Sequence, residues 1–303
     1  DPRLPAARAA LRSREDGMTG NLVQRIAFAV VAIPAAVTVV WWGGWPLAVV
    51  LAVLGVLGAR EVYDLARRQQ IDPLDGIGLA AAAVIPLATY WAKGSETRWA
   101  EPALFVGALW LLAVLGLAMR TRGPQGRPLP AVAITVFGAL YASALPSFAI
   151  AIRHGAHAGV KSWPLAALVL LPLVLTWVCD TAAMAAGHLI GGPKLAPVLS
   201  PKKTWAGAIG GFVASMAGAL LLGGWVLPRV GLSLGMPQLA LVGGAVGVVG
   251  QFGDVAESLL KREVGVKDSS HLIPGHGGVL DRLDSLYFVI PVSAGLFRLL
   301  GLV

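Results

Sequence analysis

Charge is what this sequence has least of. Only 13% of its 303 residues are Asp, Glu, Lys or Arg, about half the roughly 25% of a soluble domain. Hydrophobic residues make up 56% and the mean hydropathy is +0.74, so most of this surface never meets water and a single soluble fold is excluded. Cysteine is nearly absent. The one residue, Cys179, excludes an intrachain disulfide framework and a cysteine zinc cage; lying in an apolar run, it reads as a buried spectator. Internal repeats, a soluble domain and a long linker are also missing.

What is present is a series of apolar runs. A membrane helix needs about 20 mostly apolar residues. Candidates are Ile26–Trp42, Trp45–Leu57, Ile77–Trp91, Ala103–Met119, Pro130–Ile152, Trp163–Cys179, Ile209–Val226, Leu239–Val249 and Tyr287–Val303. The expectation is an all-α, polytopic integral membrane protein of about nine transmembrane helices. The second and eighth runs are short, and should continue as helix into polar sequence toward Leu65 and Lys261. Residues 1–17 precede Met18, lack a signal-peptide pattern and read as a disordered or appended tail; residues 18–303 read as one transmembrane catalytic domain.

The net charge of +8 and pI near 10.1 would suggest nucleic acid in a soluble protein. No recognition motif accompanies the charge here, so no nucleic-acid partner is expected. The basic residues lie mainly in short loops, where they set topology and meet anionic headgroups. With the N-terminus inside, eighteen of the 24 lysines and arginines fall on that side, five fall opposite, and Arg298 lies in the last helix. The richer side is cytoplasmic by this rule. Ten tryptophans and 38 glycines fit helix ends and close helix packing.

Two inner segments differ from the rest. The longer runs from Gly253 to Asp284 and holds Asp254, Glu257, Ser258, Lys261, Arg262, Lys267, Asp268, His276, Gly277, Gly278, Asp281 and Arg282. Asp254, Glu257, Ser258 and Lys261 are three or four apart and share one helical face. A carboxylate at the bilayer centre costs about 3 kcal/mol on insertion scales, so such residues line an aqueous cavity or meet a cation. Asp254, Asp281 and Asp284 offer hard oxygen ligands suited to partly hydrated magnesium. Lys261, Arg262, Lys267 and Arg282 can neutralise phosphate, and the glycines around His276 let backbone N–H groups approach an anion. The rival reading is a juxtamembrane loop held by its own salt bridges. In the shorter segment, Lys202 and Lys203 form a phosphate or headgroup patch, or an ordinary basic loop, while Ser200 and Thr204 are candidate caps for the next helix. Asp180 is a candidate counter-ion to these lysines.

The run Ser258-Leu259-Leu260-Lys261-Arg262, then Lys267-Asp268, then His276-Gly277-Gly278-Val279-Leu280-Asp281-Arg282-Leu283-Asp284 resembles the phosphatidate cytidylyltransferase (CDP-diacylglycerol synthase) signature. The likeness spans 27 residues and includes its place before the last helix. Asp180-Thr181, taken as the end of the sixth helix, and Ser200-Pro201-Lys202-Lys203-Thr204-Trp205 resemble that family's other polar block. The resemblance implies transfer of a cytidylyl group from CTP to phosphatidic acid, with release of pyrophosphate. It implies magnesium on Asp254 and Asp281, with Asp284 as a near neighbour, and leaves room for a second cation, monovalent or divalent. Asp254, Asp281, Asp284 and Lys261 would be catalytic. Ser200, Lys202, Lys203, Thr204, Ser258, Arg262, Lys267, His276, Gly277, Gly278 and Arg282 would bind substrate. A homodimer in the cell (inner or plasma) membrane, with its site on the cytoplasmic side, is also implied.

The second block departs from the family pattern. Ala206 stands where an acidic residue usually follows the Trp, and Ala182, Ala183, Met184 and His188 replace a Gly-Ala-Tyr-like stretch and a later Arg. Nucleotide or lipid contacts from this block are the ones put in question. Among rivals, a CTP-using polyprenol or dolichol kinase would form a phosphorylated alcohol instead of a CDP-lipid. The aspartate array of CDP-alcohol transferases cannot be found in this chain. A transporter would be expected to show paired repeats and midplane charges, and neither is evident.

Overall fold

The computed structural model describes residues 29–92, 96–155, 162–273 and 277–303. The chain is a helical, polytopic membrane protein. In order come α1 (Ala29–Trp42), α2 (Gly44–Arg68), α3 (Asp75–Trp91), α4 (Glu96–Thr121), α5 (Pro124–His154) and α6 (Ser162–Leu189). A hairpin of β1 (Lys194–Ala196) and β2 (Ser200–Thr204) follows. The rest is α7 (Trp205–Arg229), α8 (Met236–Glu263), the short α9 (Leu280–Leu283) and α10 (Leu286–Leu299). Six helices among the described residues are long and apolar enough to cross a membrane: α2, α4, α5, α6, α7 and α8. Each of the nine apolar runs has a helix, but α1, α3 and α10 are shorter than the others.

Helix ends depart from the apolar runs in an instructive way. The second and eighth helices do continue into polar sequence, to Arg68 and Glu263. The sixth does not stop at Asp180; it runs on to Leu189. The stretch Thr181–Gly187 is rich in alanine, the strongest helix former, so it extends the helix without adding to the apolar run. The second polar segment is also not a plain loop. It folds as an antiparallel pair, with Lys194 opposite Thr204 and Ala196 opposite Ser200.

Close packing is set by small residues, as expected where lipid tails are as apolar as the helices. On α8, a Cβ on Gly243 would lie 2.7 Å from Ser215 O of α7, and one on Gly253 would lie 2.8 Å from Asp284 O beside α10. Gly43 and Gly44 turn the chain between α1 and α2 with φ of 60° and 57°, a region glycine enters without cost. Buried Arg153, at the end of α5, donates to Val40 O and Trp41 O at 2.8 Å. It thereby satisfies carbonyls that the C-terminus of α1 leaves unpaired. The main core joins α1, α2, α5, α6, α7, α8 and α10. A second cluster of Ala59, Val62, Tyr63, Tyr141, Leu280 and Tyr287 packs beneath the signature segment.

Candidate active site

Lys261 is the hub of the site. It lies on the last turn of α8, one turn after Glu257, so both point the same way. Its Nζ donates to Glu257 Oε1 at 3.0 Å and to Asp281 Oδ1 at 2.6 Å. The three side chains are nearly closed to solvent, at 10%, 1% and 5% exposure. Asp281 is held from its other oxygen as well. Oδ2 accepts from Ser269 N–H, Ser269 Oγ and Gly278 N–H, each at 2.8 Å. Burial by itself would push this carboxyl up, but the Gly278 N–H, the Lys261 ammonium and the Ser269 N–H outweigh it and hold Asp281 below the ordinary aspartate range.

The glycines do bring backbone N–H groups to an anion, and in the described residues that anion is a carboxylate of the chain. Gly277 has φ of 81°. A Cβ on Gly278 would fall 2.2 Å from Ser269 Oγ and 2.3 Å from Glu61 Oε2, so only glycine fits. Glu61, on α2, accepts from Val279 N–H and Leu280 N–H at 2.9 Å. It went unnoticed in the sequence because it lies about two hundred residues from the signature, among other charges at a helix end.

The hairpin supplies the second half of the site. Successive residues of a strand face opposite ways, which separates Lys203 from exposed Lys202. Lys203 Nζ pairs with Asp254 Oδ2 at 2.5 Å. Thr204 caps α7, its Oγ1 accepting from Gly207 N–H at 3.1 Å, whereas Ser200 pairs within the hairpin. Arg262 donates to Leu199 O at 3.2 Å and Val266 O at 2.9 Å, stitching the hairpin turn to the signature segment.

Asp254 and Asp281 therefore have different lysine partners. Asp284 sits near enough to Asp254 to feel its charge; burial and that charge push its carboxyl up to about 7. Asp180 also lies within electrostatic reach of Asp254 and Lys203. Ser258 is buried, while Lys202, Lys267 and Arg282 are exposed. His276 lies outside the described residues. Among the described residues no group of three or more His, Cys, Asp or Glu side chains forms a ready metal cage. The donor set still suits magnesium, which keeps several waters and shares phosphates with one or two carboxylates. Asp281 Oδ1 retains one lone pair beyond its bond to Lys261.

Nearly the whole chain has known relatives. Residues 23–300 match the Cytidylyltransferase family, and the chain belongs to that family. It is 34% identical over 281 residues to a phosphatidate cytidylyltransferase of Brucella suis, covering 93% of each chain. It is 30% identical to one of Synechocystis, covering 89% of this chain and 94% of that one. A chloroplastic phosphatidate cytidylyltransferase of Arabidopsis thaliana is 34% identical, over 86% of this chain and 67% of its own.

Proposed function

We infer that the chain is an enzyme transferring the cytidylyl group of CTP to phosphatidic acid. The observation that carries this reading is the match along nearly the whole chain, with the signature residues gathered around Lys261 and Asp281. An oxygen of the lipid phosphate attacks the α-phosphorus of CTP. The bond from that phosphorus to the bridging oxygen breaks, and pyrophosphate leaves with the electron pair. A phosphate monoester has its second pKa near about 6, so the nucleophile needs little help from a general base. What the site must supply is alignment and charge neutralisation.

Asp254 and Asp281 Oδ1 would hold magnesium, with Asp284 beside them; the ion, when bound, neutralises triphosphate charge and orients the leaving group. Lys203 and Lys261 neutralise phosphate oxygens, and exposed Lys202, Lys267 and Arg282 draw the anionic substrates in. Ser200, Thr204, Ser258, Arg262, Gly277 and Gly278 shape the walls, and His276 adds a phosphate donor. Room remains for a second cation. Residues 18–303 form one catalytic domain whose nine helices all cross the cell membrane, α1, α3 and α10 being the shorter spans. The eighteen basic residues on one side support a cytoplasmic site, and the enzyme works as a homodimer.

The test is an assay of purified protein with CTP, phosphatidic acid and magnesium. Magnesium-dependent CDP-diacylglycerol and an equal amount of pyrophosphate are expected. A phosphorylated alcohol as the sole product from a polyprenol would overturn the reading.

A further inference from the structure

Glu61 is a carboxylate at 4% exposure with no basic partner among the described residues. The ion pairs of the site, among the described residues, go to Asp254, Glu257 and Asp281. A buried charge left like this is costly unless hydrogen bonds replace its water. Four neutral donors do so. Oε1 accepts from Ser270 Oγ at 2.7 Å and Val279 N–H at 2.9 Å. Oε2 accepts from Ser269 Oγ at 2.8 Å and Leu280 N–H at 2.9 Å. All four donors come from the segment 269–280, while Glu61 belongs to α2.

One of those donors is shared. Ser269 Oγ lies 2.8 Å from Glu61 Oε2 and 2.8 Å from Asp281 Oδ2, and its single proton can be donated to only one of them at a time. The chain of contacts runs Glu61, Ser269, Asp281, Lys261, Glu257, and so ties α2 to the end of α8 through the signature segment. No glutamine can replace Glu61 without conflict. Either orientation of the amide turns an NH2 toward one of the two backbone N–H groups, leaving two donors face to face.

We propose that Glu61 is a positioning residue for cytidylyl transfer: it fixes Ser269, Ser270, Val279 and Leu280 so that Asp281 is presented to Lys261 at the reacting phosphates. The inference rests on the roles given above to Lys261 and Asp281. It concerns a residue far outside the signature, on a helix where Arg67 and Asp64 form a surface ion pair at 2.7 Å.

The experiment compares Glu61→Gln, Ser269→Ala and Lys261→Met with the unaltered protein, all purified, with CTP, phosphatidic acid and magnesium. Glu61→Gln is expected to lower kcat about a hundredfold while the KM for CTP stays within about threefold, because alignment and not ground-state binding is lost. Adding Ser269→Ala should make it scarcely worse, since both act on one carboxylate. A kcat unchanged per folded molecule, or a raised KM with kcat intact, would overturn the proposal. Should Glu61→Gln fail to accumulate folded, Ser269→Ala decides: a kcat at least about tenfold lower supports it, and an unchanged kcat refutes it. Lys261→Met separates the two levels. If that variant is fully active, the site assignment itself fails; if it is inactive while Glu61→Gln is not, only the role of Glu61 fails.

Discussion

Lys261 and Asp281 form a buried ion pair, Nζ to Oδ1 at 2.6 Å, bridging the end of one helix and the start of the segment that leads into the last. Removing one partner of a buried pair strands the other charge, at a cost of about 3–5 kcal/mol. Lys261→Met leaves two carboxylates, Glu257 and Asp281, without their shared cation. Thermal unfolding in detergent should show a lower Tm for this variant, and the folded fraction should lose at least about a hundredfold in kcat. An unchanged Tm with intact turnover would remove Lys261 from both roles.

Asp254 and Asp281 reach their positions from different elements and different lysines, yet both are assigned to one magnesium ion. Asp254→Asn and Asp281→Asn should each lose at least about 2.7 kcal/mol of transition-state stabilisation, roughly a hundredfold in rate. The double variant should be scarcely worse than either single one. Asp281→Asn should also lower Tm, because Lys261 then keeps only Glu257. Well-folded Asn variants with near-normal, magnesium-dependent turnover would refute the ligand assignment.

Lys202 and Lys203 are neighbours with different surroundings. Both substitutions to Ala should raise the KM for CTP or phosphatidic acid, and Lys203→Ala should do so more, by about tenfold against about threefold. Lys203 alone is paired with Asp254, so its loss also changes the charge at the proposed magnesium site. Equal, unchanged kinetics for both variants would return the hairpin to the status of an ordinary basic loop.

Asp281 and Asp284 are three residues apart and are pushed in opposite directions, Asp281 below its ordinary range and Asp284 up to about 7. The signs of their pH effects are therefore opposite. The depressed Asp281 stabilises the fold above the unfolded aspartate value of about 3.9, and that contribution is lost as pH falls through its folded value. The raised Asp284 stabilises it fully below about 3.9, and that contribution is lost as pH rises toward 7. In metal-free buffer, Asp284→Asn should flatten the dependence of Tm on pH between about 4 and 7 and raise Tm at pH 8. A variant that tracks the unaltered protein across this window would show that Asp284 is not the group titrating there.

Sidedness is tested at the two ends of α7, with the hairpin before it and Arg229 as its last residue. Single cysteines at Lys194 and Arg229 should be labelled from opposite sides of intact cells; Cys179 is buried and should not compete. Labelling of both from one side would contradict the nine-span arrangement.

Much of this protein was legible in the sequence because the bilayer imposes a one-dimensional rule. A span needs a certain length of apolar residues, so the runs located every long helix among the described residues. The 27-residue signature was legible for a related reason: α8 and the following segment carry Lys261, Gly278 and Asp281 within a short stretch of chain. Where helices end was less visible. Alanine propensity carried α6 past Asp180 to Leu189, and backbone pairing between Lys194 and Thr204 leaves no hydropathy signal. Which charge meets which was decided only by tertiary structure. The gathering of Lys261 onto Asp281, of Lys203 onto Asp254, and of Ser269, Ser270, Val279 and Leu280 onto Glu61 joins residues up to 219 positions apart. A hydrogen bond or ion pair depends on where two groups lie in space, and no local periodicity in a chain records that.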